Sequence, residues 1–308
     1  MEPVQCRSAM AFEGHNLPLF VSADINKPQP DIRRALVVVH GTEGNAASYF
    51  RFVIEAARIS GKLYDTLVIA PRFVDQRDGN FIDEREFSWS RGADWRAGDL
   101  SDRNAPPRVS SFELMNQLLA RLADSRMFPN LSSIVLAGHS AGGQFVQRYA
   151  IGQPDDPALK RLTITYVVAN PSSYLYLDNH RPDKENPENF VVPPLSECQF
   201  NRFKYGFDRP NVYFKEQSID EMTVRYRARN VVYLLGEMDV DPNSENLSRT
   251  CAAMAQGETR FARGKAFVAY MEALYWPNNH RMVTVPGVGH SARGMFQSPQ
   301  GIKVLFGD

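Results

Sequence analysis

Six short runs rich in β-branched residues punctuate this chain, and stretches of helical periodicity lie between them. The runs are RALVVVHG near 34–41, TLVIAP at 66–71, SSIVLAGH at 132–139, LTITYVVANP at 162–171, NVVYLLGE at 230–237 and RMVTVPG at 281–287. Their apolar residues are consecutive, not alternate, the pattern of strands buried on both faces of a parallel sheet. Helical candidates fall at about 46–60, 109–126, 141–152 and 259–275, the last with Phe261, Phe267, Tyr270, Met271 and Leu274 near helical spacing. This alternation predicts an α/β fold, a mostly parallel central sheet flanked by helices on both sides.

Two segments break the rhythm. Residues 71–108 are polar, aromatic and punctuated by Gly and Pro, and residues 171–226 carry PDKENPENFVVPPL and many aromatics. Excursions of that length are functional or disordered more often than they are plain connections. We expect one domain over 1–308, with 171–226 as a cap excursion within it; a surface meander packed on the core is the competing reading. With 308 residues and 43% hydrophobic content the chain can bury a large core.

Lys+Arg and Asp+Glu both number 35, a balance that points away from nucleic acid and from acidic membrane surfaces as partners. No apolar run approaches the roughly 20 residues of a membrane span. The first residues, MEPVQCRSAMAFEG, lack the basic and apolar blocks of a signal peptide. The expected location is therefore cytoplasmic, or secreted or periplasmic if a leader has been removed. Cys6, Cys198 and Cys251 show no C-x-x-C spacing, so no metal site is expected. Reduced thiols are the expected state, and a single disulfide is the competitor.

The stretch VLAGHSAGGQF, Val135 to Phe145, contains GHSAG, a G-x-S-x-G pattern between a strand-like run and a helical one. A serine there sits on a sharp strand-to-helix turn, where small neighbours let the backbone pack closely and the helix N-terminus favours developing negative charge. Ser140 is the candidate nucleophile. A helix-capping serine in a glycine-rich turn is the alternative.

A serine hydroxyl needs a base, and the base needs an orienting carboxylate. Asp239 follows NVVYLLG in GEMD, just past a strand's carboxyl end, where the sites of such sheets collect. Glu237 and Asp241 are its rivals. Of the six histidines, His15 reads as part of an N-terminal polar turn, His139 is the variable residue of the serine motif, and His180 and His280 fall in Asn-rich stretches. His40 ends a central strand. His290 remains, in the glycine-rich TVPGVGHSARGMF after the last strand.

The segment HGTEGN after ALVVV is the natural source of an oxyanion-binding N–H, from Thr42 or Gly41, with Ala141 supplying the other and His40 supporting the loop. Trp89, Trp95, Tyr174 and Tyr176 lie in the two excursions and could wall an acyl or aromatic pocket; Arg72, Arg91 and Arg96 could meet an anionic group.

Together HGTEGN, GHSAGG, GEMDVDP and PGVGH resemble the α/β-hydrolase superfamily, with its chain order Ser, acid, His, from about residue 34 onward. Within it, VANPSSYLYLD and CAAMAQGETRFARG are similar to serine hydrolases related to polyester (hydroxyalkanoate) depolymerases and feruloyl-esterase-like enzymes. The resemblance implies the α/β-hydrolase fold with a partial cap from loop excursions, and a cofactor-independent hydrolase cleaving a small-molecule or oligomeric carboxylic ester through an acyl-enzyme. Secreted members of the group imply paired cysteines at positions like Cys198 and Cys251. Two departures stand out: the oxyanion segment is not HGGG, and no polymer-binding module is visible, which weakens any claim on an insoluble polyester. The same apparatus can act as a peptidase, amidase or acyltransferase, and a non-catalytic binding protein on a hydrolase scaffold is the alternative from another class.

Overall fold

The central apolar runs become strands because each has a hydrophobic core on both sides; the last run, expected to be buried likewise, forms the sheet edge, with only Val285 buried and Arg281 and Met282 exposed. A computed structural model of the protein describes residues 6–75, 85–90, 92–102, 107–194 and 198–307. In chain order the strands are β1 Cys6–Phe12, β2 His15–Val21, β3 Arg34–Val39, β4 Thr66–Pro71, β5 Val74–Asp75, β6 Ser88–Trp89, β7 Ser133–His139, β8 Thr163–Ala169, β9 Arg181–Pro182, β10 Phe190–Val191, β11 Asn230–Gly236 and β12 His280–Val285. The helices are α1 Ala46–Ile59, α2 Ser111–Ala123, α3 Ala141–Gly152, α4 Ile219–Ala228, α5 Cys251–Met254, α6 Arg260–Leu274, α7 Ala292–Gln297 and α8 Pro299–Phe306.

Among the described residues eight strands join in one sheet, in the order β1-β2-β4-β3-β7-β8-β11-β12. From β4 to β12 every pairing is parallel. In β3, Ala35, Val37 and Val39 enter one core with α2, α3 and α6, while Leu36 and Val38 enter the other with α1, α7 and α8. The chain leaves β3 for β4 on one side and later returns to β7 on the other. That reversal opens a crevice at the carboxyl ends of β3 and β7, the place where open α/β sheets bind ligands.

The antiparallel edge is absent from the sequence-based strand assignment. β1 and β2 form a hairpin whose turn, Glu13 and Gly14, has φ of 49° and 82°, the primed-turn geometry that suits strand twist. His15 is accordingly the first residue of β2, half-buried with its ring 5.4 Å from that of Phe87, and not part of a polar turn.

The expectation of reduced thiols is also corrected. Cys198 and Cys251, with Cα atoms 6.1 Å apart, form a disulfide that fastens the segment after β10 to the start of α5. No helix among the described residues is long and apolar enough to cross a membrane.

Candidate active site

Ser140 occupies the turn between β7 and α3 at φ 58° and ψ −116°. A non-glycine residue held there costs roughly 1–3 kcal/mol, no more than one or two of the buried aliphatic side chains of β7 contribute at about 1.5–3 kcal/mol each. The turn is held by Ser140 N–H donating to Ala169 O at 2.9 Å and Gln144 N–H donating to Ser140 O at 3.1 Å. The glycines make room for it. A Cβ on Gly138 would meet Gly142 O at 2.2 Å, and one on Gly142 would meet Val39 O at 2.1 Å. Helix α3 therefore starts against the end of β3, and its first N–H groups, Ala141 foremost, have no intrahelical acceptor.

The sequence candidates converge on this serine. His290 Nε2 lies 3.0 Å from Ser140 Oγ, and His290 Nδ1 lies 2.7 Å from Asp239 Oδ2. A carboxylate oxygen can only accept, so Nδ1 carries the proton and Nε2 is left to accept from the serine hydroxyl. Asp239 is buried and His290 half-buried. The acid sits in a turn closed by Asp239 N–H donating to Gly236 O, and Phe261 N–H of α6 donates to its carbonyl. The rivals stand apart: exposed Asp241 accepts from Asn243 N–H, and neither it nor Glu237 bonds to His290 among the described residues.

The loop after β3 is set by His40. Phe73 N–H donates to His40 Nε2 at 3.0 Å, which places the ring proton on Nδ1, and Nδ1–H donates to Gly41 O at 2.7 Å. Burial pushes His40 down to about 4, keeping it neutral with both bonds intact. Thr42 lines the cavity above Ser140; Ala141 is buried behind it.

A cavity of about 270 Å³ opens over the serine, lined by Gly41, Thr42, Glu43, Asn45, Tyr49, Phe52, His139, Ser140, Glu245, Asn246, His290 and Ser291 to Arg293. Among the described residues no three His, Cys, Asp or Glu side chains converge as a metal site would require.

No protein-family model matches the chain, and no curated protein matches its sequence. Solved structures do match. A poly(3-hydroxybutyrate) depolymerase from Bordetella parapertussis is 24% identical with a TM-score of 0.67, over 98% of this chain and 90% of that one. The chain has the α/β-hydrolase fold. A poly(aspartic acid) hydrolase from Sphingomonas sp. KT-1 is 25% identical with a TM-score of 0.63, over 97% and 98%. An S-formylglutathione hydrolase from Agrobacterium tumefaciens is 12% identical with a TM-score of 0.50, over 97% and 94%.

On this α/β-hydrolase scaffold the four aromatics named as pocket walls take other places. Trp89, Trp95, Tyr174 and Tyr176 are all buried in the core. Trp95 stacks on Phe73 at 5.2 Å and Tyr174 on Phe267 at 4.7 Å, while Trp89 Nε1–H donates to Asp99 O. Rings with that much apolar area reach a lower free energy packed on one another than lining a wet cleft. No described residue of 171–226 lines the cavity, whose wall on one side comes from 245–246, after β11. Arg96 is bound to Asp94, Arg72 is half-buried, and Arg91 lies outside the described residues.

Three neighbours of the site went unread. His139, buried and pressed well below the ordinary imidazole range by burial and then by the charges of His290 and Arg260, lies with its ring 4.6 Å from that of His290. Tyr49 Oη is 3.1 Å from His139 Nδ1. Asn170, at φ 43°, accepts from Gly236 N–H and donates to Gly289 O, tying the acid's strand to the histidine's loop. His280, in its Asn-rich stretch, is no solvated loop residue. It begins β12, donates through Nε2–H to Tyr226 O, accepts from Tyr233, and is pushed by burial to about 4.

Proposed function

We propose that the protein is a serine hydrolase that cleaves a carboxylic ester through an acyl-enzyme. The reading rests on one observation: the continuous path from Asp239 through His290 to Ser140, with bonds of 2.7 and 3.0 Å, ending on a serine strained into the mouth of a cavity. Ser140 Oγ attacks the ester carbonyl while His290 Nε2 takes its proton. Asp239 holds the imidazole tautomer and stabilises the imidazolium. The N–H groups of Ala141 and Thr42 receive the oxyanion, each such donor contributing roughly 2.7–4 kcal/mol. His290 returns the proton to the leaving alkoxide, and a water activated by the same base then releases the acid.

The turn at Ser140 acts as a nucleophile elbow. Its φ of 58° keeps Oγ clear of the helix behind it, and the offset of about 1–3 kcal/mol in strain is small beside a rate enhancement worth many. The likeness to a poly(aspartic acid) hydrolase favours amide cleavage as the second reading. Matched ester and amide substrates separate the two by their acylation rates.

The test is labelling with a fluorophosphonate, followed by ester turnover. Wild type should label once, at Ser140, and hydrolyse a neutral short-chain ester; Ser140→Ala should do neither while keeping its circular dichroism and melting temperature. A wild type that neither labels nor turns over is a binding protein, and the reading fails.

A further inference from the structure

Arg260 is placed where simple rules disfavour it. It is the first residue of α6, where the helix dipole opposes a cation, and its side chain is fully buried. An unpaired guanidinium there would be strongly destabilising. Burial has already drawn its pKa below the ordinary arginine range.

Its partners account for the position. Nη1 lies 3.4 Å from Asp239 Oδ1 and donates to Ser244 Oγ at 2.7 Å, while Nη2 donates to Glu245 O at 2.7 Å. Asp239 Oδ2 is the oxygen that receives His290, so the two carboxylate oxygens face different cations or donors. The backbone bond from Phe261 holds the acid's main chain but leaves its side-chain torsion free. Arg260 closes that freedom. The segment it clasps with its other N–H groups runs directly into Glu245 and Asn246, which form one wall of the cavity.

We propose that Arg260 is a positioning residue that sets two things with one side chain: the rotation of the Asp239 carboxylate, and hence of His290, and, through Ser244 and Glu245 O, the placement of the 245–246 wall that substrate meets. The proposal rests on the serine hydrolase reading. A planar fork is required because three acceptors in two directions must be met at once, which a lysine ammonium on a flexible stem does not reproduce.

Three variants of the full chain test it: Arg260→Met, Arg260→Lys and Ser244→Ala, each assayed for kcat and KM on a neutral ester and for fluorophosphonate labelling rate. Arg260→Met removes both functions, so kcat should fall on the order of 10²-fold, the effect of a small misplacement of a reacting group, and KM should rise. Arg260→Lys keeps a cation beside Asp239, so kcat should recover most of that loss while KM stays high. Ser244→Ala loosens only the wall, and should raise KM with kcat held. Equal losses of kcat in Met and Lys variants, or a Ser244→Ala enzyme with wild-type KM, would reduce Arg260 to a structural ion and overturn the proposal. So would an Arg260→Met enzyme with unchanged constants. A wild type inert to both ester and fluorophosphonate removes the hydrolase reading itself, an outcome distinct from these.

Discussion

Protonation of buried histidines should govern the acid stability of this fold, and His40 offers the clean perturbation. It is fully buried, accepts from Phe73 N–H through Nε2 and donates through Nδ1–H to Gly41 O. A second proton on Nε2 would break the Phe73 bond and bury a charge, which is the cause of its low value of about 4. In the unfolded chain the same imidazole titrates near about 6.5. Because the folded value lies below the unfolded one, the unfolded state binds more protons between them. The contribution to stability is complete above the unfolded value, falls as the pH drops through it, and levels out below about 4.

At 1.36 kcal/mol per unit, one such histidine removes about 2 kcal/mol between pH 7 and pH 5. His280, also at about 4, adds a similar loss, so together they take about 4 kcal/mol. Asp94 and Asp124, held low by Lys204 and the neighbouring arginines and by Arg126 respectively, begin to cost stability only nearer pH 4. The pH 5 to 7 window therefore isolates histidine. His40→Gln supplies one N–H for Gly41 O and one carbonyl for Phe73 N–H without titrating. Urea unfolding at pH 7 and pH 5 gives the free energy at each pH from midpoint and slope. The drop from pH 7 to pH 5 should be smaller in His40→Gln by about 2 kcal/mol, and any packing cost of glutamine cancels in the difference. If wild type and variant lose the same amount, His40 is not a proton-linked element and the assignment of its tautomer is wrong.

Two further outcomes concern the site. Asp239→Asn should lower kcat by roughly 10⁴, through the wrong imidazole tautomer, whereas Asp241→Asn, at an exposed residue with no bond to His290, should leave kcat unchanged; steady-state kinetics on one ester decides, and the reverse order would name the other carboxylate. Gly142→Ala should lower unfolding free energy by about 1–3 kcal/mol, the usual cost of overpacking, since the added Cβ would lie 2.1 Å from Val39 O, a backbone atom; denaturant melts of purified protein measure it, and a neutral effect would mean that α3 can slide away from β3 without penalty.

The parts of this architecture that could be read from sequence are those encoded in short range. Five of the six parallel strands announce themselves as consecutive apolar residues because both faces of an inner strand are covered, whereas β12 carries the same pattern at the sheet edge. Ser140 is legible because its turn needs glycine on both sides, where Cβ atoms would strike Gly142 O and Val39 O, and His290 because a glycine-rich loop follows the last strand. The hairpin of β1 and β2 exposes Arg7, Ala9 and Ala11, too little contrast for a clear alternation, and has the turn pair Glu13-Gly14, a weaker signal than Asn-Gly or Asp-Gly. It passes for irregular chain.

What remained hidden depends on pairs far apart in the chain. Tyr49 meets His139 across 90 positions and Arg260 reaches Asp239 across 21, and no local pattern marks either. Composition misleads most where a residue type serves two purposes. Trp95 lies in a polar excursion, as a pocket wall would, yet it is the partner of Phe73, His40 and Phe145 beneath the loop after β3. Arg260 shows the converse. At the head of α6 a cation works against the dipole. A conflict of that kind persists where the surrounding structure uses it. Here the compensation is Asp239, Ser244 and Glu245, three groups that only the folded chain gathers around one guanidinium.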